Sequence, residues 1–220
     1  MKCQQYKRTL LSIYQVLHRS NGNLNWWPGK TRLEICIGAV LTQNTSWGNV
    51  EKAIRNLKER RALSIRAILS MDKGRLAELI RPSGCFNQKA DYLIELCKFL
   101  RKHSLSSLKR MTVTEARGLI LDVKGIGEET ADSILLYALG LPVFVIDAYT
   151  RRIFSRIGIT GSKASYRDLQ TFFHKNLPAD VGLFNDYHAQ IVVLGKEHCN
   201  KKPKCSSCPL RSSGLCGYSI

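Results

Sequence analysis

The chain has 220 residues, 44% of them hydrophobic, and is therefore long enough to bury a core in one domain or in two small ones. Its 34 lysines and arginines outnumber 17 acidic residues, and the formal charge of +17 favours a polyanionic partner, above all nucleic acid; solubility alone is the alternative explanation. The longest apolar stretch, residues 134–146, is too short for a membrane span, and the polar, basic residues 1–10 are not expected to form a signal peptide.

Apolar residues recur at helical spacing along most of the chain, whereas alternating strand patterns are nearly absent, so the predicted fold class is all-α. Thr31 and Glu34 have the spacing of a capping box, and Thr112 and Glu115 repeat it. The helix that follows Thr31 is apolar nearly all round and should be the buried centre of a bundle. Predicted helices contain, in chain order, Tyr6–Leu17, Leu33–Leu41, Val50–Leu57, Leu76–Ile80, Leu93–Leu100, Ala116–Val123, Ala131–Leu139, Ile153–Ile157 and Leu169–Leu194.

Four cysteines lie close together at the end of the chain, with the spacing C-x5-C-x2-C-x7-C among several lysines. Four thiolates so near in sequence can converge on one inorganic core, either zinc or an iron–sulfur cluster. A cell interior that keeps thiols reduced suits them better than a secreted disulfide framework. We expect this tail to pack against the N-terminal helix. The predicted ligands are Cys199, Cys205, Cys208 and Cys216.

A tight glycine turn joins two of the predicted helices, within residues 123–131. Gly125 and Gly127 permit backbone angles that other residues resist, and the helix that starts after them presents unpaired N–H groups to a phosphate. Ile126 should turn inward and hold the two helices together, while Lys124 should meet a phosphate. This pattern predicts a helix-hairpin-helix that grips the DNA backbone without reading its sequence. An ordinary helix–helix turn is the alternative.

Beyond the hairpin, the apolar residues 142–146 end on Asp147, and Arg151 and Arg152 follow. With the hairpin, this aspartate and the four cysteines in the same order, the chain resembles the endonuclease III (HhH-GPD) superfamily of DNA glycosylases over nearly its whole length. The cysteine spacing departs slightly from the common family form, C-x6-C-x2-C-x5-C, which leaves the detailed geometry of the cluster open.

The resemblance implies two helical subdomains. Residues 21–131 would form a six-helix, barrel-like subdomain that includes the hairpin. Residues 1–20 together with 132–220 would form the second, which ends in a [4Fe–4S] loop at residues 199–216; zinc is the less favoured metal. Such a cluster would order a basic loop and do no hydrolysis itself.

The resemblance also assigns the chemistry. Asp147 matches the catalytic aspartate, whose carboxylate would stabilise positive charge on the deoxyribose or orient a water; a structural role as the N-cap of the next helix is the alternative. Family members that also cut the DNA backbone carry a lysine where this chain has Glu129. A carboxylate cannot form a Schiff base, so we predict a monofunctional glycosylase without lyase activity.

The three tryptophans Trp26, Trp27 and Trp47 lie in one region of the sequence and resemble the 3-methyladenine branch of the superfamily. Flat indole faces would stack on an electron-poor, cationic alkylated purine flipped out of the duplex. Core packing is the alternative for each of them. Other lesions, such as uracil, mismatched thymine or oxidised pyrimidines, define a second enzymatic hypothesis. A DNA-binding iron–sulfur protein without catalysis is a third.

The expected partner is double-stranded DNA that contains a damaged base, bound by a monomeric protein in the cytoplasm, at the nucleoid, and without any membrane. Gln43 matches the family side chain that fills the gap left by the flipped base. Cys85 or Phe86 lies at the position of the second wedge. The complete set of predicted DNA-contacting residues is Gln43, Cys85, Phe86, Lys124, Gly125, Gly127, Glu129 and Thr130.

Overall fold

A computed structural model describes residues 2–218, without the side chains of residues 2 and 3, and confirms the predicted all-α fold class. No β-strand occurs in this part of the chain, and no helix in it is long and apolar enough to cross a membrane. The helices are α1 (Lys2–Asn21), α2 (Arg32–Leu41), α3 (Trp47–Glu59), α4 (Ile65–Ser70), α5 (Lys73–Leu79), α6 (Phe86–Lys102), α7 (Leu105–Leu108), α8 (Val113–Leu121), α9 (Glu128–Ser133), α10 (Ala148–Arg156), α11 (Tyr166–Asn176), α12 (Val181–Glu197) and α13 (Pro209–Ser212).

The chain divides into two compact units, which we call the hairpin unit (residues 28–141) and the cysteine unit (residues 2–27 and 142–218). Both boundaries lie later than the predicted ones, which were 20/21 and 131/132. The second boundary moves because α9 continues as a π-helix to Leu139 and packs on α2, so the whole apolar segment stays in the hairpin unit. Residues 1, 219 and 220 of the predicted second subdomain lie outside the described residues.

In the hairpin unit, α2 is the buried centre that its all-round apolar sequence predicted, with the six residues from Cys36 to Leu41 buried. Thr31 caps this helix by accepting a hydrogen bond from the Glu34 amide (3.1 Å). The reciprocal half of the capping box is replaced, because the Glu34 carboxylate pairs with Lys58 instead (Oε1–Nζ 2.6 Å). The second predicted capping box, at the start of α8, forms completely.

In the cysteine unit, α12 packs against α1 and α10, and α13 packs on α1, as expected for the cysteine-rich tail. The extended residues 142–146 run into this core rather than along a sheet, with Phe144 stacked on Phe173 (centroids 4.0 Å apart). The main chain of Phe144 is hydrogen-bonded by two side chains. Its N–H donates to His174 (2.9 Å), and its carbonyl accepts from Gln170 (2.9 Å). This segment therefore delivers Asp147 from a fixed backbone.

Candidate functional site

The glycine turn of the hairpin unit connects α8 to α9, and its two glycines differ. Gly125 has a φ of +87°, and a Cβ there would lie 2.1 Å from the ring of Tyr92, so only glycine fits. Gly127 is exposed, has an ordinary extended backbone, and a Cβ would meet no protein atom within 4 Å. Ile126 is buried between them, as predicted. The turn is thus anchored at Gly125 and open at Gly127.

A buried ion pair clamps the two helices of the hairpin together. Arg117 on α8 donates from Nε and Nη2 to the two carboxylate oxygens of Asp132 on α9 (2.7 and 3.1 Å). The Asp132 side chain is fully buried, and Glu128 lies within ion-pair distance of the same guanidinium. No sequence motif points to this pair, although both residues flank the turn at helical positions.

Three of the predicted DNA-contacting residues are joined by hydrogen bonds. Gln43, in the turn after α2, donates from Nε2 to the Gly125 carbonyl and to the Thr130 hydroxyl (3.0 Å each). The Thr130 side chain is buried, so its hydroxyl is oriented towards Gln43 rather than towards solvent. Lys124 and Glu129 are exposed on the hairpin surface.

The second predicted wedge lies at the start of α6. Gly84 and Cys85 both have positive φ angles (69° and 44°), Cys85 is exposed, and Phe86 is half-buried against the Arg81 guanidinium. One turn into the helix, Lys89 is buried, which no pattern in the sequence predicted.

Asp147 is the N-cap of α10 and also has a second carboxylate oxygen near a histidine. Its Oδ1 accepts hydrogen bonds from the Thr150 amide and hydroxyl (2.7 and 2.8 Å), so the capping role is real. Its Oδ2 lies 3.7 Å from Nε2 of His188, and the aspartate side chain keeps 12% of its surface exposed. Burial lowers the pKa of His188, although the Asp147 charge opposes that shift, so the imidazole is mainly neutral at pH 7.

The tryptophans divide between the two units. Trp26 and Trp27 meet edge to face in the cysteine unit, with centroids 6.0 Å apart. The Trp26 Nε1 atom is buried without a hydrogen-bond partner in the described residues, and Lys196 lies over its ring at 5.9 Å. Trp47 begins α3 in the hairpin unit, where its Nε1 donates to Glu51 (2.9 Å).

One recess in the cysteine unit is lined by all four C-terminal cysteines, and each is a free thiol. Arg156 reaches the Cys199 sulfur (3.3 Å) and the Asn200 carbonyl (2.7 Å), while Arg152 donates to the Cys199 carbonyl (2.7 Å). Burial raises the pKa of Cys208. Within residues 2–218, no three His, Cys, Asp or Glu side chains are grouped to hold a single metal ion. Lys204 lines the recess, and it is exposed together with Lys201 and Lys202 of the same loop.

Comparison with known proteins gives a family match over most of the chain. The profile described as "HhH-GPD superfamily base excision DNA repair protein" matches residues 37–179. A relative from Methanocaldococcus jannaschii, provisionally named a DNA repair glycosylase, is 46% identical over 207 residues, which cover 92% of this chain and 94% of the relative. Endonuclease III of Sulfolobus acidocaldarius is 28% identical over 194 residues, covering 86% and 84%.

Solved structures agree with this match. The 3-methyladenine DNA glycosylase of H. pylori bound to 1,N6-ethenoadenine superposes with a TM-score of 0.72 at 32% identity, covering 89% of this chain and 97% of that one. A non-covalent endonuclease III–DNA complex superposes with a TM-score of 0.81, covering 96% and 95% of the two chains. Its identity is only 21%, so this second likeness concerns the fold alone.

The two hairpin glycines allow folding and DNA binding to be tested separately. We expect Gly125→Ala to lower the free energy of unfolding by about 1–3 kcal/mol, because its Cβ overlaps Tyr92. We expect Gly127→Ala to unfold like the native protein yet to bind duplex DNA roughly tenfold more weakly, because the new methyl group covers the open side of the turn. Urea unfolding and fluorescence anisotropy measure the two effects. Native affinity in Gly127→Ala would exclude this turn as a DNA contact.

Proposed function

The chain belongs to the HhH-GPD superfamily of base excision DNA repair proteins, and we propose that it is a monofunctional DNA glycosylase that removes alkylated purines such as 3-methyladenine from double-stranded DNA. The observation that carries this proposal is the carboxylate of Asp147. One of its oxygens is held by the helix cap, which fixes the side-chain rotamer, and the carboxylate remains partly exposed. A fixed, accessible anion is the group that glycosidic bond cleavage requires.

Cleavage of the N-glycosidic bond builds positive charge on the deoxyribose, and the Asp147 carboxylate would stabilise that charge or orient the attacking water. His188 lies beside this carboxylate, and burial lowers the pKa of its imidazole. A purine alkylated on a ring nitrogen, such as 3-methyladenine, already carries a positive charge in DNA and leaves without a proton donor. A single well-held carboxylate is therefore sufficient chemistry for this substrate class.

The proposed contacts with the duplex are made to its phosphates and do not depend on the base sequence. The hairpin would bind phosphate through the amides around Gly127 and through exposed Lys124. The lysines at positions 201, 202 and 204 would add further phosphate contacts. Cys85 or Phe86 would form one wedge. Gln43 would form the other only after releasing its two hydrogen bonds to the hairpin, or would act by supporting the hairpin from behind.

The base specificity is proposed from the three tryptophans. Trp26, Trp27 and Trp47 would supply flat apolar faces for a cationic purine. The 32% identity to the H. pylori 3-methyladenine DNA glycosylase supports this choice. Uracil, mismatched thymine or oxidised pyrimidines remain the competing substrates, and a DNA-binding protein without catalysis is the competing class.

We also propose that the four cysteines hold a [4Fe–4S] cluster. All four line one recess, and none is consumed in a disulfide, which suits a shared inorganic core. When bound, the cluster would supply structural order, while Arg152 and Arg156 hold the loop that carries Cys199.

The function is tested with duplexes that each carry one lesion. We expect release of 3-methyladenine or a related alkylated purine, and little release of uracil, mismatched thymine or oxidised pyrimidines, as measured by single-turnover assays. Release of only an unalkylated base would contradict the substrate class. Binding to every duplex without release of any base would favour the non-catalytic alternative.

The role of Asp147 is tested on the preferred lesion. Asp147→Asn should slow base release roughly a hundredfold or more, because the amide lacks the negative charge. The variant should unfold like the native protein, because asparagine is a good N-cap. Asp180→Asn is the matched control, since Asp180 caps α12 through the Leu183 amide (2.7 Å) in the same unit. Native rates in Asp147→Asn would refute the mechanism.

Glu129 predicts the absence of lyase activity. We expect that sodium borohydride will not trap the protein on damaged DNA, because a carboxylate forms no imine. Denaturing electrophoresis detects any adduct. If one formed, the monofunctional assignment would fail, and Lys124→Ala would then show whether the neighbouring lysine supplies the amine.

The cluster proposal predicts a coloured protein. We expect a yellow-brown protein with about four iron atoms per chain, and we expect Cys208→Ser to lose colour and iron. Cys85→Ser is the control, because Cys85 is exposed and belongs to the hairpin unit. A colourless protein that contains zinc would refute the assignment.

A further inference from the structure

A buried lysine joins two of the turns in the hairpin unit. Lys89 lies on α6 with 2% of its surface exposed, and its Nζ donates to the Leu41 carbonyl (2.8 Å) and to the Ser83 carbonyl (2.7 Å). Lysine is almost never fully buried unless it is paired, because the ammonium loses its hydration. Desolvation accordingly lowers the pKa of Lys89. The ammonium is thus retained at a free-energy cost.

The two carbonyls that Lys89 binds each end a helical segment. Leu41 is the last residue of α2, two positions before Gln43, and Ser83 ends the short 3₁₀ turn before Gly84 and Cys85. Carbonyls at such ends lack intrahelical partners and attract a cation. Lys89 therefore connects the turn that carries Gln43 to the turn that carries Cys85.

The same turn is linked to the hairpin from its other side. Gln43 donates to Gly125 and Thr130, so a chain of four side-chain hydrogen bonds runs from the hairpin through Gln43 and Lys89 to Ser83. Two side chains therefore connect all three segments that are proposed to contact DNA in this unit.

We propose that Lys89 is a positioning residue for damaged-base extrusion, an inference that rests on the proposed glycosylase function. Its ammonium fixes the distance between the Gln43 turn and the Cys85–Phe86 turn, so that both turns enter the duplex at the correct spacing from each other. An ammonium suits this task because it donates several hydrogen bonds from one atom to carbonyls on different segments. A methionine fills similar space but leaves both carbonyls unpaired.

The experiment compares Lys89→Met and Lys89→Arg with Lys98→Met. Lys98 lies on the same helix but is half-exposed and pairs only with Glu95 at the surface (2.8 Å), so it controls for loss of one charge from α6. Single-turnover release of the preferred base is measured on two duplexes. In one the lesion faces a normal base, and in the other it faces a stable abasic-site analogue, which removes the base that a wedge must displace.

We expect Lys89→Met to slow release roughly tenfold or more on the first duplex, because a misplaced wedge flips the base inefficiently. On the second duplex the loss should shrink to roughly threefold or less, because less extrusion work remains. Lys89→Arg should recover part of the rate, and Lys98→Met should match the native protein on both. Equal losses on the two duplexes, or no loss on either, would overturn the proposal.

A second measurement distinguishes failure of the positioning role from failure of the proposed glycosylase function. 2-Aminopurine placed beside the lesion reports unstacking by fluorescence, whether or not a base is released. Native protein should raise that fluorescence more than Lys89→Met does, and an equal rise would refute the positioning role. If Lys89→Met does not fold, Lys89→Arg carries the same comparison. A native protein that releases no base from any lesion would instead defeat the proposed function.

Discussion

The cap that Asp147 forms on α10 is the interaction on which the proposed chemistry depends. The preceding segment is buried and its main chain is bound by Gln170 and His174, so the aspartate leaves a rigid backbone. Thr150 then occupies one carboxylate oxygen with two hydrogen bonds and removes the rotamer freedom of the side chain. A structural cap and a catalytic carboxylate are therefore compatible, because the cap supplies the orientation that catalysis needs.

The hairpin unit contains buried polar side chains at positions where apolar side chains could pack. Arg117 with Asp132 joins the two hairpin helices, while Gln43 and Lys89 connect the neighbouring turns. Buried ions contribute little net stability, since desolvation offsets most of their attraction. Their directional bonds do fix relative positions, which apolar contacts alone define less sharply. Fixed spacing is the property that a surface shaped to grip a duplex requires.

The loop between the first two cysteines of the recess is basic and is bound by α10. Arg152 and Arg156 pair with the carbonyls of residues 195, 199 and 200, so the loop between the first two cysteines is held by α10. That loop carries exposed lysines, part of the excess that gives the chain its charge of +17. The element that presents Asp147 at its N-terminus thus also anchors the basic loop at its C-terminal turn.

The sequence by itself determined most features whose partners lie within a few residues: most of the helices, the Gly125 turn, the capping box of α8, and the candidates Asp147 and the four cysteines. The predicted helical section Leu169–Leu194 is two helices, α11 and α12. Only the tertiary structure decided the long-range pairs. Lys89 meets Leu41 across 48 residues, and Gln43 meets Thr130 across 87. The tertiary structure also pairs the Glu34 carboxylate with Lys58 instead of with the capping box. It places the whole second hairpin helix in one unit. Local periodicity and caps depend on backbone geometry near each residue, whereas these pairings depend on which helices pack together, and no short motif encodes that choice.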